Sequence, residues 1–238
     1  MSRILVVEDE RHLADGLRYN LEADEHDVDL ADTGEAALNL LTEQPRRYDL
    51  VVLDVMLPGI DGFAVTTELR RLGQYVPVLI LTARGRSEDV LSGFGAGADD
   101  YLTKPFELPI FLSRVRGLLR RTAWFRLEAA ARPASSSEFA FRDKVIDFEQ
   151  LEVRVGDKRM PLTLMEVALL RYLVENEGKA VARKTILDRV WNVHEDTDTR
   201  AIDNFIVRLR RYIEAEPARP KHLQTVRGVG YRFVSEPD

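Results

Sequence analysis

The stretch Leu50-Val-Val-Leu-Asp-Val-Met-Leu-Pro-Gly-Ile-Asp-Gly62 decides the first half of the chain. Leu50–Leu53 is a short apolar run without polar alternation, bounded by a turn signal. It reads as a strand buried on both faces. The run stops at Asp54, and Pro58, Gly59 and Gly62 mark a loop before the next helix. Outward from this unit the pattern repeats. Arg3–Val7 is a short buried strand, followed by Leu13, Leu17 and Leu21 at helical spacing. Val28–Ala31 is a weaker strand, and Gly34–Leu41 a short helix with Ala37, Leu40 and Leu41 on one face. Helix Gly62–Leu72, strand Val76–Leu81, helix Ser87–Phe94, a strand near Tyr101 and a helix from Glu107 to about Arg121 complete five repeats. The expected class is α/β, a doubly wound five-stranded parallel sheet covered on both faces, with its functional site at the carboxyl ends of the strands.

The polar residues fall at those ends. Strand one runs into Glu8-Asp9, strand three into Asp54, strand four into Thr82, and Lys104-Pro105 follows strand five. A parallel sheet brings these positions together, giving three carboxylates, one hydroxyl and one ammonium in a single cleft. Clustered carboxylates repel one another and call for a divalent cation; hard oxygen ligands suit Mg²⁺. Asp54 then becomes a nucleophile for phosphorus, with Lys104 and Thr82 placed to hold phosphoryl oxygens. An Asp at a strand end is most often only a turn residue; four strand ends in the right order are far more specific than any one of them.

Bulk composition bounds the rest. The 238 residues are enough for two ordinary domains, and 45% hydrophobic with 31% charged is a globular balance. The absence of cysteine excludes disulfides and thiolate zinc sites and fits a cytoplasmic protein. No signal-like segment or long apolar run is present, so no membrane association is expected. The net charge of −6 is uneven: the first 122 residues carry 14 basic and 21 acidic side chains. The second half is therefore the candidate for a polyanion.

Ala129–Ser137 has no apolar periodicity and reads as part of a linker. The domains are taken as 2–121 and 138–236, with 122–137 between them. Past the linker come short strand candidates, Phe139–Phe141, Val145–Phe148, Leu151–Val155 and Met160–Leu162, with a hairpin turn at Gly156-Asp157. Thr163 and Glu166 form a capping-box pattern ahead of helix Leu164–Glu175. Helices Arg183–Trp191 and Thr199–Glu214 follow, then two strands around a glycine turn. This order predicts an α+β winged helix-turn-helix. On the helix Thr199–Glu214, Ile202, Ile206, Leu209 and Ile213 form a core stripe, and Arg200, Asn204, Arg208 and Arg211 an opposite basic face. Arginine suits phosphates and guanine edges, and asparagine suits adenine. Asn204 and Arg208 are the expected base readers.

Glu8-Asp9, the stretch Asp54–Gly62, Thr82-Ala83 and Lys104-Pro105-Phe106 resemble the flavodoxin-like receiver domain of two-component response regulators over roughly Ser2–Arg121. Leu162–Glu166, Val190-Trp191, Arg200–Asp203, Arg208–Arg210 and Thr225-Val-Arg-Gly-Val-Gly-Tyr-Arg232 are similar to the effector domain of the OmpR/PhoB subfamily. The resemblance implies that Asp54 accepts a phosphoryl group from a sensor histidine kinase. It implies that Glu8, Asp9, Asp54 and the Met56 carbonyl hold Mg²⁺, that Thr82 and Tyr101 are the switch pair, and that the bond before Pro105 is cis. It implies double-stranded DNA as partner, with Thr199–Glu214 in the major groove, Arg227 in the minor groove, Thr225 and Tyr231 near phosphates, and Trp191, Arg200 and Arg210 touching the backbone or supporting the helix. The loop Asn192–Asp198 would face RNA polymerase.

The same resemblance implies a homodimer on activation. Its expected face includes Phe94 and Leu112 as apolar centre and an Asp100–Arg114 salt bridge. Val90 and Ile110 stand where the family usually has a charged pair, so an apolar Val90–Ile110 contact is expected in its place. Three other readings compete. An aspartyl phosphatase would want a second Asp two residues after Asp54, where this chain has Met56; chemistry is expected to be confined to Asp54 itself. A flavin module would want a hydroxyl-rich loop where Glu8-Asp9-Glu10 would repel phosphate. A regulator that binds DNA without phosphorylation would not need the full acidic site.

Overall fold

A computed structural model of the chain describes residues 1–43, 48–83, 96–131, 138–191 and 200–237. The chain divides into two compact units, Met1–Ala123 and Trp124–Asp238.

In the first unit, β1 (Arg3–Val7), β2 (Asp27–Ala31), β3 (Leu50–Asp54), β4 (Val78–Thr82) and β5 (Asp100–Thr103) form a parallel sheet in the order β2-β1-β3-β4-β5. Every residue of β3 and β4 is buried, as their unbroken apolar runs require. Helices α1 (Arg11–Ala23), α2 (Gly34–Glu43), α3 (Gly62–Arg71) and α4 (Leu108–Ala131) connect or follow them. On α1 the inward residues are Ala14, Leu17 and Leu21, so Ala14 and not Leu13 takes the first inner position. The expected helix Ser87–Phe94 lies outside the described residues. Successive strands are added on one side of β1 for β2 and on the other for β3, and the parallel pairing of β1 with β3 places their carboxyl ends side by side.

Helix α4 runs ten residues beyond the expected end near Arg121, so the first part of the segment assigned to a linker is helical. The sequence here, Glu128-Ala-Ala-Ala131, is strongly helix-forming, and the Pro133 that follows disfavours continuation.

The second unit opens with an antiparallel sheet, β6 (Glu138–Phe141), β7 (Lys144–Asp147), β8 (Glu152–Val155) and β9 (Lys158–Pro161), in sequence order. Helix α5 (Leu164–Glu175) begins at the expected capping box: Glu166 N donates to Thr163 Oγ1, and Thr163 N donates to Glu166 Oε2 at 2.8 Å. Helix α6 (Arg183–Ile186) continues into a π-helical turn, Leu187–Trp191. Helix α7 (Arg200–Ile213) precedes the hairpin β11 (Leu223–Val226) and β12 (Gly230–Phe233). A two-residue strand, β10 (Val181–Ala182), pairs with β12 and makes a three-stranded sheet. Two residues carry no periodicity, so β10 has no signature in the sequence.

Glycines sit where these elements touch most closely. A Cβ at Gly62 would lie 2.3 Å from the Asp54 carbonyl oxygen, and one at Gly230 would lie 2.1 Å from the Val181 carbonyl oxygen. Both contacts are with backbone, which cannot swing aside. Gly62→Ala and Gly230→Ala are each expected to cost about 1–3 kcal/mol of stability through forced backbone shifts. Urea unfolding followed by circular dichroism checks this; unchanged midpoints would show that the loops relax freely.

Candidate functional site

The acidic site is assembled by β1, β3, β4 and β5. Glu8 and Asp54 are almost fully buried at the ends of adjacent strands, while Asp9 is exposed. Ligand oxygens of Glu8, Asp9 and Asp54 all lie within 4.8 Å of one another. Lys104 Nζ stands 2.7 Å from both Glu8 Oε2 and Asp54 Oδ2. Its backbone N donates to the Thr82 carbonyl oxygen at 2.7 Å, which fixes the loop after β5 against the end of β4. The Lys104–Pro105 bond is cis. Met56 N donates to Asp54 Oδ1 at 3.1 Å, so the backbone folds back over the aspartate. Thr82 is buried beside this group and Tyr101 is half-buried.

Burial holds the Glu8 carboxyl above its ordinary value; the Lys104 hydrogen bond opposes this, and the charge of Asp54 adds to it. Burial alone would lower the Lys104 ammonium, but its bonds to Asp54 and Glu8 outweigh burial and raise it. One ammonium thus serves two buried carboxylates, and a third carboxylate lies at the mouth. Three hard oxygen donors with one side open to solvent fit a divalent cation that keeps several waters.

Two features of the site have no signal in the residue types at the strand ends. Glu35, in the first turn of α2, accepts a hydrogen bond from Ile60 N at 3.2 Å. Gly59 has φ +79°, and a Cβ there would sit 2.5 Å from a Glu35 oxygen. The loop after Asp54 is therefore anchored to α2. Asp61 caps α3 by accepting from Ala64 N at 2.8 Å.

The second unit presents a helix and a wing. Ile202, Ile206, Leu209 and Ile213 are buried, and Phe205 joins them at 0% exposure, with its ring 5.0 Å from that of Trp191. Val207 is 47% exposed, Arg211 is exposed and Arg210 half-buried. Thr225, Arg227 and Val229 are exposed on the hairpin.

Residues 4–116 match the family model described as response regulator receiver domain, and residues 157–233 the one described as transcriptional regulatory protein, C terminal. The response regulators MprA of Mycobacterium bovis and Mycobacterium tuberculosis are 42% identical to this chain over 235 residues, 99% of this chain and 98% of theirs. A solved structure of a RitR mutant aligns with 98% of this chain and 99% of its own, at 27% identity and a TM-score of 0.76. The chain belongs to the response regulators of OmpR/PhoB type. It joins a receiver domain to a DNA-binding winged helix, the architecture of a transcription regulator. Among the described residues of this regulator, no helix is long and apolar enough to cross a membrane.

Several expected site residues of the regulator are placed differently. Arg208 is not on an open basic face. Its side chain is 7% exposed, its Nε lies 2.9 Å from Glu166 Oε1, and its guanidinium stands 4.7 Å over the Phe205 ring. The reason is Phe205: three residues before Arg208, it widens the apolar stripe onto that flank and carries Arg208 inward. Asn204, one turn before Arg208, is buried as well. Neither is presented as a base reader. Tyr231 is buried, with its hydroxyl 2.5 Å from Asp203 Oδ1. Arg210 donates to the Leu223 carbonyl oxygen at 2.9 Å and to Thr225 Oγ1 at 2.8 Å. Arg210 thus supports the helix, one of the two roles expected of it, whereas Tyr231 is held inward by Asp203. The side chain of Arg200 and the loop Asn192–Asp198 fall outside what the structure describes.

At the expected dimer face, Asp100 and Arg114 pair within one chain, with Arg114 Nη1 2.8 Å from both carboxylate oxygens. Here they bridge β5 and α4 of the same molecule. Ile110 is 45% exposed and Leu112 half-buried, while Val90 and Phe94 lie outside the described residues.

A buried pair loses most when one partner is removed and the other charge is stranded. Arg208→Ala is expected to cost about 3–5 kcal/mol. Adding Glu166→Gln, which keeps an acceptor for Thr163 N while removing the stranded charge, is expected to recover part of that loss. Urea unfolding of the single and double variants decides it; a loss below about 1 kcal/mol for Arg208→Ala would show that the pair is not held closed.

Proposed function

We propose that this regulator is switched by phosphorylation of Asp54 and that the switched form binds specific DNA as a homodimer. The observation that carries the reading is the placement of Asp54: buried at the end of β3, within reach of Glu8 and Asp9, and held by the Lys104 ammonium at 2.7 Å. In the reaction, an Asp54 carboxylate oxygen attacks the phosphorus of a phosphohistidine on a sensor kinase. The new P–O bond forms as the P–N bond breaks, and the histidine leaves with the electron pair and takes up a proton.

Glu8, Asp9, Asp54 and the Met56 carbonyl would hold Mg²⁺, which supplies charge neutralisation for the anionic phosphoryl group. Lys104 exchanges a carboxylate oxygen for a phosphoryl oxygen. The Thr82 hydroxyl donates to another, and its inward movement leaves room for Tyr101 to follow. The chemistry is confined to gain and loss of this one phosphoryl group, with no separate substrate. On the DNA side, Val207 and Arg211 of α7 and Thr225 and Arg227 of the wing are, among the described residues, exposed and open to a duplex. RNA polymerase is the further partner, and the cytoplasm the compartment that contains all of them.

The test uses a small-molecule phosphoryl donor with Mg²⁺, intact-mass spectrometry, and site selection from a randomised DNA pool. The native protein is expected to gain one phosphoryl group and about 5–150-fold in affinity for a paired half-site. Asp54→Ala is expected to gain neither. Equal enrichment of the same site by native protein with and without donor would leave DNA binding standing and remove Asp54 as its switch.

A further inference from the structure

We propose that Tyr231, Asp203 and Arg183 are positioning residues that lock the wing hairpin to helix α7, so that helix and wing engage DNA as one rigid body. The three come from three elements. Asp203 is in the first turn of α7, Tyr231 lies on β12, and Arg183 opens α6. The Tyr231 hydroxyl donates to Asp203 Oδ1 at 2.5 Å. Arg183 Nε donates to the same oxygen at 3.0 Å, and its Nη2 donates to the Tyr231 hydroxyl at 3.1 Å. The guanidinium also stands 4.7 Å over the Tyr231 ring. Each member thus contacts both of the others. Burial together with the bond to Asp203 pushes the Tyr231 phenol up to about 12, so it remains a donor at any ordinary pH.

A second tie lies on the same side of α7. Arg210, two turns after Asp203, binds the Leu223 carbonyl oxygen and Thr225 Oγ1 on β11. The helix therefore grips both strands of the hairpin, β12 through the triad and β11 through Arg210. With the triad broken, the ties that remain are to β11, through Arg210 and through Glu214, which accepts from Leu223 N at 2.7 Å. Beyond the grip, the turn Arg227-Gly228-Val229 projects exposed, with Gly228 at φ +75°. Two contact elements held in fixed relation bind without paying separately to order the second one. The triad joins Asp203 on α7 to Tyr231, two residues past that turn, so its loss would uncouple the two sets of contacts.

The inference rests on the reading that Arg227 contacts DNA, and the experiment separates the two. Affinity for the selected site is measured for the full-length native protein, Tyr231→Phe, Arg227→Ala and the double variant, with folding checked by circular dichroism. Arg227→Ala is expected to weaken native binding on the order of tenfold, and to weaken Tyr231→Phe by less than about threefold, because a loosened wing no longer delivers its arginine. Should Tyr231→Phe fail to fold, Asp203→Ala, which removes the shared acceptor of the tyrosine hydroxyl and of Arg183, replaces it in the cycle with the same expectation. If Arg227→Ala costs the same factor in both backgrounds, the triad only stabilises the fold and the proposal is overturned. If Arg227→Ala has no effect on the native protein, the wing contact itself is the reading that fails, and there is nothing for the triad to position.

Discussion

Glu8 and Asp54 end on neighbouring strands, both are withdrawn from water, and both depend on one ammonium. Two carboxylates this close repel each other, and withdrawal from water strengthens the repulsion. Lys104 offsets that repulsion at 2.7 Å from each. The requirement reaches well beyond the three side chains. It needs β1 and β3 adjacent, so the sheet must reverse its order between them. It needs the chain after β5 to return across the end of β4, which the Lys104 N to Thr82 O bond secures. It also needs the loop after Asp54 to stay close, which Gly62 permits by lacking a Cβ and Glu35 enforces from α2.

The DNA-binding unit handles buried charge differently. Glu166 serves twice, closing the capping box with one oxygen and meeting Arg208 with the other. A buried pair of this kind is weak evidence for stability, because desolvation offsets much of its attraction. Its consequence is geometric: α7 is set against the start of α5 at one point, and against the hairpin through Asp203 and Arg210. Polar contacts thus set the orientation of the helix, while Ile202, Phe205, Ile206, Leu209 and Ile213 supply its burial.

Much of this was legible from residue patterns. The apolar runs ending in Glu8-Asp9, Asp54 and Thr82 announced both the parallel sheet and the clustering of the acids, because a parallel sheet puts all its strand ends on one edge. The capping box at Thr163 and Glu166 was legible because it depends on a spacing of three residues and nothing distant. The length of α4 was underestimated where the composition looked like a linker; alanine is neutral in the apolar pattern but the strongest of helix formers. Strand β10 was invisible because two residues exist as a strand only by virtue of their partner, β12.

The sequence by itself determined the local periods, the caps and the order of elements, and with them the two-domain architecture and the identity of Glu8, Asp9, Asp54, Thr82 and Lys104 as one site. These depend on neighbours along the chain or on a topology that leaves few choices. Only the tertiary structure decided which charged residues face outward. Arg208 looked like a free cation until Phe205 and Glu166 drew it inward. That β5 and α4 bring Asp100 and Arg114 together within one molecule was likewise settled by the fold. Tyr231 looked like a surface phenol until Asp203 took its proton bond. A charged or polar side chain carries the same formula whether it meets water or a buried partner, and the partner is supplied by residues far away in the chain.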